Sequence, residues 1–340
     1  MSLSRRTLLW QAAAATGTTL LARVAGAGPW GAAEPRPGVP SSPTAAPLEP
    51  DIYAFTLGGA DAYVVHDGAI TFPGVQTVIA PEAPADAVTR LLREAYLPTD
   101  HVAVSLNVLV VRLPSGPLLV DAGGGAALGP TAGRLTRGLQ RLGIAPGDVR
   151  SVVVTHAHGD HVAGLLGGDG TPAFPNARVF VAAEEAAFWA TAVERQDWTG
   201  SRVPPAGRAQ STETARKFLN GVGDRLQRVA PGGALVPGVT FVPTPGHTPG
   251  HQAVRLTVGG ETLLHVGDAV HQAALQFPHP EWSMAFDTRP AQASATRRAL
   301  LARLAAERTR VLAYHLPFPG IGHVRASGDG YAWVPQPWVV

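Results

Sequence analysis

Four side chains that can bind metal ions lie within one short segment, His156-Ala157-His158-Gly159-Asp160-His161. The three valines before it, Val152–Val154, predict a buried strand that delivers the segment as a tight loop. His156 and His158 are two positions apart, so in an extended segment their imidazoles project to the same side. Asp160 and His161 are adjacent, so their side chains diverge and can serve a second ion beside the first.

Three further candidate ligands occur later in the chain, each where a strand is expected to end in a loop. They are His247, Asp268 and His315. Neutral imidazole and carboxylate are ligands for Zn²⁺ and other first-row divalent ions. A lone histidine is more often structural than a ligand, but structural roles do not account for a set of this size with four members in one loop. The sequence therefore predicts a metal site.

Short strands interleaved with helices must position these ligands. Ile52–Phe72 predicts a strand pair that is broken at Gly58-Gly59 and turns again at His66-Asp67-Gly68. Leu128–Leu142 predicts a helix, Ala206–Leu226 a helical insertion, and Val311–Tyr314 a last strand. Mixed strands and helices without strict βαβ alternation indicate sheets packed together with helices outside.

The N-terminal residues have the features of an export signal. Ser4–Leu9 contains two arginines before an apolar stretch and resembles a twin-arginine signal, which directs folded proteins across the bacterial inner membrane. The apolar stretch, Leu8–Leu21, is too short and too polar for a span of about 20 apolar residues, so no stable membrane insertion is expected. Residues 1–27 are interpreted as a cleaved signal peptide, 28–50 as a proline-rich linker and 51–340 as one catalytic domain. We expect an exported protein, periplasmic or secreted.

Composition excludes several classes of function. Apolar residues make up 45% and charged residues 15%, as in a folded globular protein. There is no cysteine, which excludes disulfides, thiolate zinc ligands and a cysteine nucleophile. The formal net charge of +2 becomes −1 when the signal peptide and its three arginines are removed. Such a near-neutral surface gives no reason to expect a nucleic-acid partner.

The pattern His-x-His-x-Asp-His, followed by a distant His, Asp and His, resembles the metallo-β-lactamase superfamily. Successive intervals from the loop through the three later ligands are 86, 21 and 47 residues. With Gln276-Phe277-Pro278 and the segment Pro317–His323, they look most like the methyl parathion hydrolase-like branch. The resemblance covers about Ile52–Trp333. It implies an α/β (α+β) fold, the four-layer αββα metallo-β-lactamase sandwich, with the metals at one edge.

The same resemblance implies a role for each ligand. One metal ion is expected on His156, His158 and His247, the other on Asp160, His161 and His315, with Asp268 bridging the pair. Two cations about 4 Å apart lower the pKa of a shared water, which makes hydroxide available at neutral pH, and they polarise the oxygen under attack. The catalytic carboxylates are then Asp160, which also orients the hydroxide, and Asp268. The implied cofactors are two divalent ions, with zinc expected and manganese, cobalt or iron as alternatives.

Four further residues are candidates for supporting roles. Asp121 ends a strand and resembles the family's aspartate that accepts a hydrogen bond from a ligand histidine. His251 and His271 flank ligands, and we expect them to support those ligands or to pack, not to bind metal. Trp189 is expected to line the substrate pocket, where an aromatic wall suits an apolar acyl chain or an aryl leaving group.

These residues and the family resemblance together imply a dinuclear, metal-dependent hydrolase for an apolar, ester-like small molecule: a lactone, an aryl ester or a phosphotriester. Thiolate-ligand β-lactamases are excluded because Asp268 stands where they need cysteine. Other β-lactamases, a glyoxalase-type thioesterase and a non-catalytic periplasmic metal-binding protein remain as alternatives. The resemblance also suggests a homodimer.

Overall fold

Two β-sheets lie face to face in the computed structural model, which describes residues 51–337. The first sheet has seven strands, in spatial order β1 Ile52–Leu57, β2 Ala60–Pro73, β3 His101–Leu113, β4 Gly116–Val120, β5 Ser151–Val153, β6 Arg178–Ala182 and β7 Leu226–Val229. The second sheet has six, in chain order β8 Val239–Pro243, β9 Gln252–Val258, β10 Glu261–His265, β11 Arg310–Leu312, β12 Ile321–Ser327 and β13 Gly330–Pro335.

Helices fill the connections between the strands. They are α1 Val75–Val78, α2 Ala85–Glu94, α3 Leu135–Arg141, α4 Gly159–Val162, α5 Ala183–Ala190, α6 Pro205–Gly221, α7 Ala273–Gln276 and α8 Pro290–Glu307. The helical insertion expected at Ala206–Leu226 is present as α6, but the helix ends at Gly221 and Leu226 begins β7. Within residues 51–337, none of the helices is both long and apolar enough to span a bilayer. The expected signal peptide and linker, residues 1–50, lie outside the described residues.

The core is arranged in layers. Between the sheets, one buried cluster joins Val64, Leu109 and Val153 of the first sheet to Leu256 and Leu312 of the second. The outer face of the first sheet packs against α3, α5 and α6, and the outer face of the second packs against α8. This order of helix, sheet, sheet and helix confirms the four-layer αββα sandwich.

The strand before the metal-binding loop shows how the sequence fits these layers. Val152 and Val154 belong to the outer cluster of the first sheet, whereas Val153 belongs to the cluster between the sheets. A strand buried on both faces is a continuous apolar run without alternation. The three valines therefore place β5 in the interior and bring its carboxyl end to the site.

Parallel strand pairs bring the candidate site residues together. β4 and β5 are parallel in the first sheet, and β10 and β11 are parallel in the second. Neighbours in a parallel pair end at the same edge of the sheet, so the loops that follow them lie side by side. Asp121 and the segment 156–161 follow the first pair, and Asp268 and His315 follow the second.

The turn expected at His66-Asp67-Gly68 is wrong. β2 continues through this point, and its register with β3 shifts between His66 and Gly68, which is a β-bulge. The Asp67 carboxylate is buried and accepts hydrogen bonds from three backbone N–H groups of residues 124–135. These distant donors satisfy the aspartate inside a strand, where the local sequence favours a turn.

Two other expectations hold only in part. The helix expected over Leu128–Leu142 begins at Leu135, because Gly129 has a non-helical backbone and Gly133 has a φ of 83°. The strand expected at Val311–Tyr314 is present as β11, but it is not the last one. The chain continues into an antiparallel hairpin, β12 and β13, at the edge of the second sheet.

Candidate metal centre

Three histidine nitrogens converge at the carboxyl end of β5. His158 Nδ1 lies 3.0 Å from His156 Nε2 and 3.0 Å from His247 Nε2. Asp268 Oδ2 lies 3.2 Å from His247 Nε2 and 3.7 Å from His156 Nε2. One ligand atom from each of these four residues lies within 4.8 Å of the others. We call His156, His158, His247 and Asp268 the first cluster.

A second cluster lies directly beside the first and consists of Asp160, His161 and His315. Asp160 Oδ2 lies 3.5 Å from His161 Nε2 and 3.4 Å from His315 Nε2. Asp268 also reaches this cluster, with Oδ1 at 3.1 Å from His161 Nε2 and Oδ2 at 3.1 Å from His315 Nε2. The Asp268 carboxylate thus lies between the two groups of ligand atoms.

Buried carboxylates fix the protonation of one histidine in each cluster. His161 Nδ1 donates to Asp121 Oδ2 at 2.8 Å, and His247 Nδ1 donates to Asp287 Oδ1 at 2.8 Å. A carboxylate oxygen accepts a hydrogen bond, so each Nδ1 must carry the proton. The Nε2 atoms of His161 and His247 therefore face the centre.

A backbone oxygen and a hydroxyl oxygen likewise fix the proton on Nδ1 of two other histidines. His315 Nδ1 donates to the carbonyl oxygen of Ser105 at 2.9 Å. The hydroxyl of Thr155 donates to Asp121, which leaves its oxygen to accept from His156 Nδ1 at 3.2 Å. Four imidazoles consequently turn their Nε2 atoms towards the same region.

The donor set fits two metal ions. His161 Nε2 and Asp268 Oδ1 are buried and have no hydrogen-bond partner among the described residues. A buried polar atom left unpaired costs about 1–3 kcal/mol, so a centre with such atoms needs a further partner. Clusters of imidazole and carboxylate without thiolate match the ligands of zinc and related ions. His158 and Asp160 are only partly buried, so solvent reaches the centre at this point.

Charge in the centre is divided unevenly when no metal is bound. Burial opposes the charged form of His247, but hydrogen bonds and charge from neighbouring carboxylates raise its pKa to about 9. Burial also opposes charge on His161, yet Asp268 and two other carboxylates raise its pKa well above the ordinary value. Burial, with the neighbouring histidines, lowers the pKa values of His156 and His158. His161 and His247 therefore tend to be protonated in the metal-free chain, and a metal ion must displace a proton from each to bind there.

His251 supports Asp268 from behind. Its Nε2 accepts the backbone N–H of Asp268 at 3.0 Å, and its Nδ1 donates to the carbonyl oxygen of Thr244 at 3.0 Å. Burial lowers the pKa of His251 to about 3, so the ring is neutral, as this pairing requires. Both ring nitrogens are engaged outside the two clusters, and His251 is held away from a ligand role.

His271 lies at the edge of the metal centre, in contact with Asp268 and His315. Its Nε2 is 3.1 Å from Asp268 Oδ2, the same distance as His315 Nε2, and its ring stacks on His315 with centroids 5.0 Å apart. Asp268, His271 and His315 form a third group whose ligand atoms lie within 4.8 Å of one another. Burial lowers the pKa of His271 to about 4, which leaves its ring neutral.

Trp189 lies behind His158. The indole has no exposed surface, its ring meets the His158 ring edge-on at 5.8 Å, and its Nε1 donates to Glu185 at 2.6 Å. This placement makes Trp189 a support for the loop of the first cluster instead of a solvent-facing wall.

Three residues with contacts to the clusters were not found by sequence reasoning. Glu185 and Asp287 are buried carboxylates that bond to the ligand loops and to His247. Tyr314 stacks on His161 with ring centroids 4.0 Å apart, and its hydroxyl donates to the backbone oxygen of Asp160 at 2.7 Å. Only Tyr314 had a sequence signal, because it directly precedes His315.

Comparison with known proteins shows that the chain is similar to members of one superfamily. The family model described as the metallo-beta-lactamase superfamily matches residues 102–315. A probable metallo-hydrolase of Mycobacterium tuberculosis is 29% identical over 223 residues, which are 57% of this chain and 66% of that protein. The N-acyl homoserine lactonase AttM of Agrobacterium fabrum is 34% identical over 133 residues, 38% of this chain and 45% of that protein. The matched region thus spans less than two thirds of these curated relatives.

Two solved structures are similar along most of the chain. AidC, a dizinc quorum-quenching lactonase in complex with a product, N-hexanoyl-L-homoserine, superposes with a TM-score of 0.81 at 27% identity, over 85% of this chain and 98% of that chain. The hydrolase AbOPH of the beta lactamase superfamily gives a TM-score of 0.77 at 28% identity, over 85% of this chain and 99% of that chain.

Proposed function

We propose that this chain, which belongs to the metallo-β-lactamase superfamily, is a metallo-hydrolase that hydrolyses lactones with the help of two divalent metal ions. The observation that carries this proposal is the position of Asp268. Its Oδ1 faces His161 of the second cluster, and its Oδ2 faces His247 of the first. A single carboxylate that reaches both clusters is suited to join two ions into one centre.

The ligand assignment follows from the two clusters. One ion would be held by His156, His158 and His247 and the other by Asp160, His161 and His315, with Asp268 within reach of both. Bound divalent ions would make a nucleophile available from water at neutral pH and polarise the substrate carbonyl. Zinc is our first assignment, because the ligands are imidazole and carboxylate and because AidC is a dizinc enzyme.

Asp160 is the catalytic carboxylate in this proposal. Its side chain is 17% exposed, against 3% for that of Asp268, so it is the carboxylate that entering water meets. It orients the attacking water and accepts its proton. Hydrolysis then forms one bond, from the water oxygen to the carbonyl carbon, and breaks the ring ester bond. The proton ends on the hydroxyl group that the ring opening releases.

Relatives and the centre together favour a lactone over the other ester-like substrates. AttM and AidC are lactonases by name, and AidC is similar over nearly the whole described part of this chain. A phosphotriester is the second candidate, because Gln276-Phe277-Pro278 and Pro317–His323 resemble the methyl parathion hydrolase-like branch. The carboxylate between the clusters argues against a β-lactamase, since cysteine-free β-lactamases generally lack it.

The location and assembly of the protein are separate proposals. The twin-arginine pattern at Ser4–Leu9 supports export to the periplasm or beyond, with residues 1–27 as signal peptide and 28–50 as linker. We further propose a homodimer, by resemblance to the family, and no nucleic-acid partner, because the net charge is close to zero.

Substrate choice is tested by comparing kcat/KM for four compounds on the zinc-loaded full chain. The panel is an N-acyl homoserine lactone, an aryl ester, methyl paraoxon and a cephalosporin. The proposal predicts the highest kcat/KM for the lactone. A higher value for methyl paraoxon would make phosphotriester hydrolysis the principal activity. Bound metal without turnover of any compound would support a metal-binding protein instead.

A further inference from the structure

Glu185 is a buried carboxylate on α5 without a cationic partner. Its side chain is fully buried, and none of the ion pairs among residues 51–337 includes it. A buried carboxylate is costly unless hydrogen bonds satisfy it, and burial accordingly raises the pKa of Glu185. Two oxygens on one buried side chain therefore need strong donors close by.

One oxygen of Glu185 holds the loop of the first two histidines. Oε1 accepts the backbone N–H of Ala157 at 2.8 Å and the indole N–H of Trp189 at 2.6 Å. Ala157 lies between His156 and His158, so this hydrogen bond fixes the backbone from which both side chains project. The Trp189 ring, held by the same oxygen, packs edge-on against His158.

The other oxygen of Glu185 holds the loop of the third histidine. Oε2 accepts the hydroxyl of Thr248 at 2.6 Å and the backbone N–H of Gly250 at 3.2 Å. Thr248 directly follows His247. The loop approaches α5 so closely that a Cβ on Gly250 would lie 2.1 Å from the backbone nitrogen of Glu185, and only glycine fits there.

We propose that Glu185 is a positioning residue that sets the metal affinity of the first cluster. His156, His158 and His247 come from two loops that lie far apart in sequence, and one carboxylate binds both loops. Four donors require an acceptor with lone pairs on both atoms, which a carboxylate has and an amide lacks. Partners behind the ligands typically change metal affinity about 10- to 100-fold. This inference rests on the proposed metal centre but not on the substrate.

Zinc titration against a competing chromophoric chelator tests the proposal on the full chain. Glu185→Gln keeps the shape of the side chain but turns an amide N–H₂ towards two donors. We expect one of two zinc sites to weaken at least about 10-fold, with the other unchanged. The matched control is Glu184→Gln, which alters the adjacent exposed glutamate on the same helix and should leave both sites unchanged.

A double variant identifies which site has weakened. His158→Ala removes a ligand of the first cluster, so Glu185→Gln added to it should not change the affinity of the remaining site. A further loss in the double variant would place the effect at the second cluster and overturn the proposal. Unchanged affinities in folded Glu185→Gln would overturn it as well. Wild-type protein that binds no zinc would instead refute the metal centre itself.

Folding of the variants is checked by circular dichroism before the titration. If Glu185→Gln does not fold, Thr248→Val decides, because it removes a single hydrogen bond from Oε2 and keeps the β-branched shape. The proposal predicts a smaller loss of affinity at the same site. Wild-type affinity in Thr248→Val would contradict it.

Discussion

His247 Nδ1 lies 2.8 Å from Asp287 Oδ1, although the two residues are 40 positions apart. The other oxygen of Asp287 accepts the backbone N–H of Met284 at 2.8 Å and lies 3.8 Å from the guanidinium of Arg297. Arg297 is itself buried and donates to the backbone oxygen of Ala269 at 2.7 Å. A series of buried polar groups thus extends from α8 to a ligand of the first cluster.

Replacement of Asp287 tests whether this series of polar groups acts on the metal site. Asp287→Asn removes the carboxylate that holds the proton on His247 Nδ1 and thereby directs Nε2 towards the metal centre. We expect zinc affinity of one site to fall about 10- to 100-fold, measured by competition with a chelator. Asp169→Asn, at an exposed position, is the control. Wild-type affinity in folded Asp287→Asn would show that this hydrogen bond does not act on the metal.

Metal binding is expected to release protons. The pKa of His247 is raised to about 9 in the metal-free chain, so this side chain is protonated below that pH and must lose its proton to bind a metal ion. Apparent zinc affinity should therefore rise with pH between about 6 and 8. Calorimetry at neutral pH in buffers of different ionisation enthalpy should show at least one proton released per chain. No release would contradict the raised pKa.

Tyr314 should stabilise the loop of the second cluster through its hydroxyl. Tyr314→Phe keeps the ring on His161 but leaves the backbone oxygen of Asp160 without this donor. A lost buried hydrogen bond costs about 1–2 kcal/mol in free energy of unfolding, which urea denaturation of the metal-free protein measures. Tyr63→Phe is the control, since no hydrogen bond of the Tyr63 hydroxyl is found among residues 51–337. Equal effects of the two changes would refute the role of this contact.

The grouping of the candidate ligands could be predicted from the sequence because their positions depend on local patterns. A valine strand followed by a loop with histidines two positions apart fixes where His156 and His158 project, and the later ligands also follow strands. The supports behind them depend on long-range packing. Glu184 and Glu185 are identical in type, and only the phase of α5 buries one of them beside the two loops. Asp287 likewise meets His247 only through the folding of distant segments.

The fold was predictable in its layers but less so at individual positions. Apolar runs such as Val152–Val154 predict interior strands, whereas the strand at His66–Gly68 contains residues that favour turns. Backbone donors of residues 124–135 satisfy Asp67 there, and no local pattern reveals them. The role of Asp121 was expected from the sequence but its backbone conformation was not: its φ of 64° is uncommon for a non-glycine residue, and its carboxylate accepts hydrogen bonds from Thr155.

Hydrolysis at a two-metal centre is the function that we propose for this chain. The most direct measurement is elemental analysis of the purified full chain, combined with lactone turnover before and after treatment with a chelator. We predict about two metal ions per chain, activity that the chelator abolishes and zinc restores, and loss of activity in folded His158→Ala. Folded protein without metal, or turnover that survives complete metal removal, would contradict it.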